Sequence, residues 1–136
     1  EQACRAEAEA SVAAGEAVRH ANERERAHLA AARAWAEGDF AGAHRRYAAI
    51  TAEHPRDLFA LQVAHALDFF LGDAQGLRDR PTRAMRAWRE AEPGFTWMLG
   101  MQAFGLEETG AYDAAEDAGR MALALQPKDA WAVHAV

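Results

Sequence analysis

The sequence predicts an all-α fold of stacked helical hairpins, and three observations support this prediction. Glycines follow three apolar runs, at Gly38, Gly72 and Gly110, where a residue in the left-handed conformation commonly ends a helix. The spacings between these glycines are 34 and 38 residues, which indicates an internal repeat. Apolar residues recur four and three positions apart, as in Ala43, Tyr47 and Ile50, which is the period of an amphipathic helix.

The first and third repeats share one frame. Each has a glycine, then an aromatic residue, a small residue and a closing proline at equal offsets: Phe40 and Tyr112, Ala43 and Ala115, Pro55 and Pro127. The middle repeat reaches Pro93 four residues later, so we place an insertion between Gly72 and Met85. This order and a period near 34 residues are typical of the tetratricopeptide repeat (TPR). Stacked hairpins of this type predict a right-handed α-α superhelix.

The frame also places the helices. We expect first helices at about residues 23–37, 57–71 and 95–109, and second helices at about 40–54, 76–92 and 112–126. The repeats span about 23–55, 57–93 and 95–127, and another begins at 129. Residues 2–18 are expected to be the second helix of a preceding hairpin. Residues 1–136 would then form a single solenoid segment of a longer protein.

Local signals mark where the helices begin. Asn22 and Glu25 fit a capping box, in which each side chain accepts a hydrogen bond from the other residue's backbone. Asp57 and Asp129 follow prolines closely and are expected to be N-caps. Pro81 is expected to start the middle second helix, with Asp79 just outside it.

Short motifs are spread over residues 24–136, at 24–28, 38–40, 54–58, 64–65, 69–72, 85–88, 104–109 and 129–134, including His54-Pro55-Arg56-Asp57-Leu58 and Asp129-Ala130-Trp131-Ala132-Val133-His134. In these motifs and their order, residues 24–136 resemble the tetratricopeptide repeat protein 38 family. The resemblance implies a longer cytoplasmic protein of several divergent repeats. It brings no established reaction, cofactor or catalytic residue. The Ala-rich, Lys-poor composition favours a bacterial source.

Composition excludes several classes of function. A net charge of −6 argues against nucleic acid as a partner, because nucleic acid selects for a basic surface. The longest apolar stretch contains Gln62, His65 and Asp68, which argues against a membrane span. Cys4 is the only cysteine, so no internal disulfide can form, which fits a reducing compartment such as the cytoplasm.

The first helices of stacked hairpins line the concave face, and there the frame places an unusual number of aromatic and histidine side chains. We expect the binding residues to be His28, Trp35, Phe59, Gln62, His65, Phe69, Phe70, Trp97, Phe104, Trp131 and His134. Aromatic anchors beside a few polar groups are typical of sites that bind a peptide or protein segment. The alternative is that neighbouring helices cover these rings as core. A carboxylate clamp is not expected, because Lys128 and Asn22 lie outside the interiors of the first helices.

Little in the sequence points to catalysis, and we expect no enzyme. Ser11 and Cys4 lie near no histidine in the predicted fold, and no Gly-rich phosphate loop is present. No histidines are spaced as a helical metal site requires, so neither a metal nor a cofactor is expected. The alternative function is a larger protein that encloses a small-molecule or catalytic pocket lined by His28, His65 and His134.

Two surface features complete the expectations. Arg80, Arg83, Arg86 and Arg89 lie three apart and are interpreted as a solvated stripe on the convex side, with an anionic partner as the alternative. The chain ends in mid-pattern, where Trp131 and its neighbours belong to a first helix without its partner. We therefore expect a homo-oligomer formed through the C-terminal end.

Overall fold

The computed structural model describes residues 2–136, with side chains from Arg5 onward, and within this part of the chain it is all-helical. The helices are α1 (Gln2–Glu16), α2 (Glu23–Ala36), α3 (Phe40–Glu53), α4 (Leu58–Leu71), α5 (Ala74–Ala84), a short 3-10 helix (Met85–Ala87), α6 (Phe95–Glu108), α7 (Tyr112–Leu125) and α8 (Ala130–His134). The described residues contain no β-strand, which confirms the all-α prediction. None of these helices is both long and apolar enough to cross a membrane.

Three of the predicted helix starts, at Asn22, Asp57 and Asp129, are confirmed by their hydrogen bonds. The Asn22 side chain accepts from the Glu25 backbone at 2.9 Å, and the Glu25 carboxylate accepts from the Asn22 backbone at 2.8 Å. Asp57 caps α4 through Ala60 at 3.0 Å. Asp129 caps α8 by accepting from two backbone N–H groups.

All three turns inside the hairpins contain a left-handed glycine, and in the first two an acidic cap follows it. Gly38 and Gly72 have φ angles of 86° and 73°, and Gly110 has 78°, so all three confirm the predicted helix ends. Asp39 and Asp73 directly follow the first two glycines and cap the next helix. The chain therefore reverses within two or three residues, and each helix packs against the next along the chain.

The predicted place of the insertion is wrong. Helix α5 begins at Ala74, two residues after Gly72, because Asp73 caps it there. The extra residues lie after the 3-10 helix, in the segment 88–94 that leads to α6. Trp88 fastens this segment by donating from Nε1 to the Pro55 carbonyl at 2.9 Å.

Pro81 is not the start of a helix, as predicted, but lies at the eighth position of α5. A proline cannot donate the helical hydrogen bond to the carbonyl four residues earlier, here that of Leu77. Helix α6 approaches α5 at this carbonyl, where a Cβ added to Gly105 would lie 2.2 Å from the Leu77 oxygen. Only a glycine in α6 allows so close an approach.

The core is divided into clusters that each span three successive helices. The first cluster joins α2, α3 and α4, the second joins α4, α5 and α6, and the third joins α6, α7 and α8. Ala43 and Ala115, the small residues shared by the first and third repeats, are fully buried. Successive hairpins therefore share their apolar faces.

Candidate binding surface

Five large aromatic side chains on α2, α4 and α6 remain exposed, and we call them the aromatic surface. Their exposed fractions are Trp35 36%, Phe59 62%, Phe69 46%, Phe70 74% and Trp97 43%. All belong to helices that the repeat frame identifies as first helices. The core interpretation requires neighbouring helices to cover these rings, and for these five they do not.

Trp35, Phe59 and Gln62 line one groove, here named the N-terminal groove. Its volume is about 480 Å³, and its walls come from α1, α2, α3 and α4. The other lining residues are mostly small or apolar: Ala8, Ser11, Val12, Ala32, Ala36, Tyr47, Val63 and Ala66. The groove therefore offers a carbon-rich wall with few polar groups.

His28 lies beside this groove and is held in place by Asp57. Its Nε2 lies 2.8 Å from an Asp57 oxygen, and its ring centroid is 5.6 Å from that of Phe59. Burial opposes ionisation of Asp57, but hydrogen bonds from the Ala60 backbone and His28 outweigh it and lower the pKa of the carboxyl. Because Asp57 also caps α4, His28 is tied to the helix start.

A second group of rings, the C-terminal aromatic cluster, joins α4, α6 and α8. Phe104 is its buried centre, with ring centroids 4.7 Å from Trp131, 5.0 Å from His134 and 5.8 Å from Phe69. Phe69 in turn contacts Phe70 at 5.6 Å. His65 completes the cluster, 5.0 Å from Trp131 and 5.7 Å from Phe104. Six of the predicted binding residues thus come together.

His65 is buried, and it lacks the hydrogen-bond partners that a buried imidazole ordinarily has. Only 1% of its surface is exposed, and neither ring nitrogen has a hydrogen-bond partner. Burial lowers the pKa of the imidazole to about 4, against the opposing charge of Asp68 and with a further lowering by Arg80. His65 is therefore neutral at pH 7.

The predicted binding residues do not form one site. His28 belongs to the N-terminal groove, whereas His65 and His134 belong to the C-terminal aromatic cluster. Trp97 lies at the first turn of α6. Trp131 is half-buried against its own chain, where it contacts His65 of the second repeat as well as Phe104 of the third.

The interpretation of Arg80 as solvated surface is also wrong. Its guanidinium is buried and donates to both oxygens of Asp68, at 2.8 and 2.9 Å, while Arg83, Arg86 and Arg89 are exposed. His44 also contacts Asp68, which links α3, α4 and α5 through one buried carboxylate. The sequence signal for this network is the single Asp68 within an apolar helix.

In the described part of the chain, histidine and carboxylate side chains form two groups that could hold a metal ion. Within each group the potential ligand atoms lie within 4.8 Å of one another. One is His44, Asp68 and Asp73, and the other is Glu107, Glu108 and His134. In the first group Arg80 already occupies both oxygens of Asp68, so a metal ion would meet a positive charge. The second group is more exposed. The helical spacing rule did not find these groups, because each draws residues from two or more helical segments.

Catalytic candidates gain no support from the geometry. The Ser11 hydroxyl donates to the Glu7 carbonyl within its own exposed helix. The side chain of Cys4 lies outside the described residues.

No known protein-family model matches the chain. The likeness to the tetratricopeptide repeat protein 38 family therefore stays a prediction, and the function must be argued from the chain's own surface.

Proposed function

We propose that this chain is a TPR-type interaction scaffold, a right-handed α-α superhelix that binds a peptide or protein segment on its concave face. The observation that carries the proposal is the aromatic surface: five exposed rings on three successive first helices. Their exposure on one set of helices is what the concave face of such a superhelix would present. A cytoplasmic location and a bacterial source belong to the same proposal and rest on composition.

The energetics favour a partner for this surface. Trp and Phe side chains bury large apolar areas, and aromatic anchors that fill pockets dominate the binding energy of many interfaces. The N-terminal groove, at about 480 Å³, has the size of a typical ligand pocket. Its few polar groups, such as Gln62 and Ser11, would orient a peptide backbone rather than hold a charge.

The proposal is tested by selecting peptides from a random display library on the folded chain. The affinity of a selected peptide is then measured for Phe59→Ala and Phe70→Ala by fluorescence anisotropy. Each variant should weaken binding by about 2 kcal/mol, or roughly thirtyfold, if its ring is an anchor. Tyr112→Ala is the matched control, because Tyr112 is equally exposed but lies on the second helix α7. A library that yields no binder, or variants that bind like the parent, would contradict the proposal.

A second function rests on His65: the chain is part of a larger protein that encloses a small-molecule or catalytic pocket. Two buried nitrogens without partners are costly, and a ligand that replaced Trp131 could satisfy them. A screen of small heteroaromatic and amide compounds by NMR separates the two functions. Shifts confined to His65 and its ring neighbours would favour the pocket, whereas shifts along α2, α4 and α6 would favour the scaffold.

A further inference from the structure

The three helices that carry the C-terminal aromatic cluster, α4, α6 and α8, contain carboxylates but no basic Arg or Lys side chain. The carboxylates of α6 are Glu107 and Glu108, at its C-terminal end, and Asp68 of α4 is neutralised by Arg80. The negative end of the α6 dipole adds to the two carboxylates. This end of the aromatic surface therefore attracts a positive charge.

The exposed rings of α4 and the carboxylates of α6 belong to one patch, in which the buried ring of Phe104 lies between them. Phe70 and Phe69 contact each other, and Phe69 reaches His134 through Phe104. His134 Nε2 then lies 3.6 Å from Glu107, and the Glu108 carboxylate is within 4.8 Å of both. A long cationic side chain laid along this patch would meet exposed ring surface first and carboxylate oxygens at its end.

We propose that this patch recognises the cationic side chain of an Arg or Lys in the bound peptide, with Glu107 and Glu108 as its counter-charges. The inference rests on the proposed peptide-binding function and names the chemistry of its partner. An ammonium or guanidinium group is attracted to the face of an aromatic ring, while its alkyl stem packs on the ring edges. The two carboxylates add Coulombic attraction on an exposed surface, so the affinity falls with rising salt.

The probes are short capped peptides that differ only in charge. Acetyl-Trp-Arg-Trp-Arg-amide is compared by NMR titration with two analogues. In one, neutral citrulline replaces both Arg residues, and in the other Glu replaces them. EDTA is present throughout, so that no metal ion can bridge Glu107, Glu108 and His134. The Arg peptide should bind at least about threefold more tightly than the citrulline peptide, and the Glu peptide most weakly.

Matched charge variants assign this preference to the patch. Glu107→Gln with Glu108→Gln should remove the preference for Arg over citrulline. Asp113→Asn with Asp117→Asn, an equal change of charge on the exposed face of α7, should preserve it. If Arg and citrulline peptides bind alike, or the preference survives in the Glu107/Glu108 variant, the inference is wrong, and peptide binding at the aromatic surface still stands. If neither the probes nor the display library binds at all, both proposals fail together.

Discussion

At the scale of single residues, His65 and Asp68 show two outcomes for a polar group within an apolar helix. Asp68 is fully buried, but both of its carboxylate oxygens have hydrogen-bond partners, which Arg80 and His44 supply. His65 is almost as deeply buried, yet neither ring nitrogen has a hydrogen-bond partner, and its ring packs against those of Phe104 and Trp131. The first residue therefore holds helices together, and the second weakens the fold at low pH.

The pH dependence of stability follows from the His65 pKa of about 4. The unfolded imidazole takes up a proton near pH 6.5, whereas the folded one does so only near pH 4, so stability is lost as the pH falls between these values. Between pH 7 and pH 5 this loss should be about 2 kcal/mol. Urea melts of the parent and of His65→Leu should show the dependence in the parent only. The exposed His20→Gln is the control and should behave as the parent does.

The buried ion pair gives a second prediction. Asp68→Asn leaves the Arg80 guanidinium buried without its charge partner, which should lower the free energy of unfolding by about 3–5 kcal/mol. Replacing both residues, as Asp68→Leu with Arg80→Met, should recover much of that loss. Glu116→Gln breaks an exposed ion pair with Arg120 and should change stability little. An Asp68→Asn variant as stable as this control would show that the pair is not buried in solution.

At the scale of helices, the approach of α6 to α5 depends on Gly105. Gly105→Ala would place its Cβ 2.2 Å from the Leu77 carbonyl, so the helices must separate, and we expect destabilisation of about 1–3 kcal/mol. Gly15→Ala is the control, since its Cβ would meet only the flexible end of Leu29 and alanine favours the helix. Chemical denaturation of both variants tests the pair. Equal stability would mean that α5 and α6 do not cross at this point.

The helices also show how far the sequence could predict the fold. The ends at Gly38, Gly72 and Gly110 were predictable, because left-handed glycines and Asp caps act within a few residues. The location of Pro81 inside α5 was not. Pro81 cannot donate to the Leu77 carbonyl, and the residue that approaches this carbonyl, Gly105, belongs to another helix. Arg80 was placed wrongly for the same reason, since its partner Asp68 lies on α4.

The candidate site divides in the same way. That Phe59, Phe69 and Phe70 lie on one first helix, α4, follows from the repeat frame and could be predicted. Their division into a groove and a cluster could not, because α1 and α8 supply the remaining walls. The proximity of Glu107 and His134 could not be predicted either, because it depends on a contact between α6 and α8.

At the scale of the whole molecule, self-association through the C-terminal end stays a prediction, with a changed set of residues. Trp131 packs on its own chain, but Val133 and Val136 are 58% and 51% exposed. Exposed apolar groups of this kind can form a self-complementary contact between two copies. Light scattering should show a mass that rises with protein concentration, and Val133→Glu with Val136→Glu should abolish the rise. A monomeric mass at every concentration would exclude the dimer.

The measurement that tests the central claim most directly is an amide chemical-shift map of the folded chain with a display-selected peptide. Binding on the aromatic surface predicts shifts on α2, α4 and α6, strongest around Phe59, Phe69 and Phe70. Helices α5 and α7 should be nearly unchanged, and α3 should change only near Tyr47, which lines the N-terminal groove. Shifts concentrated on α3, α5 and α7 would contradict the account, because the exposed rings of the first helices would then have no part in binding.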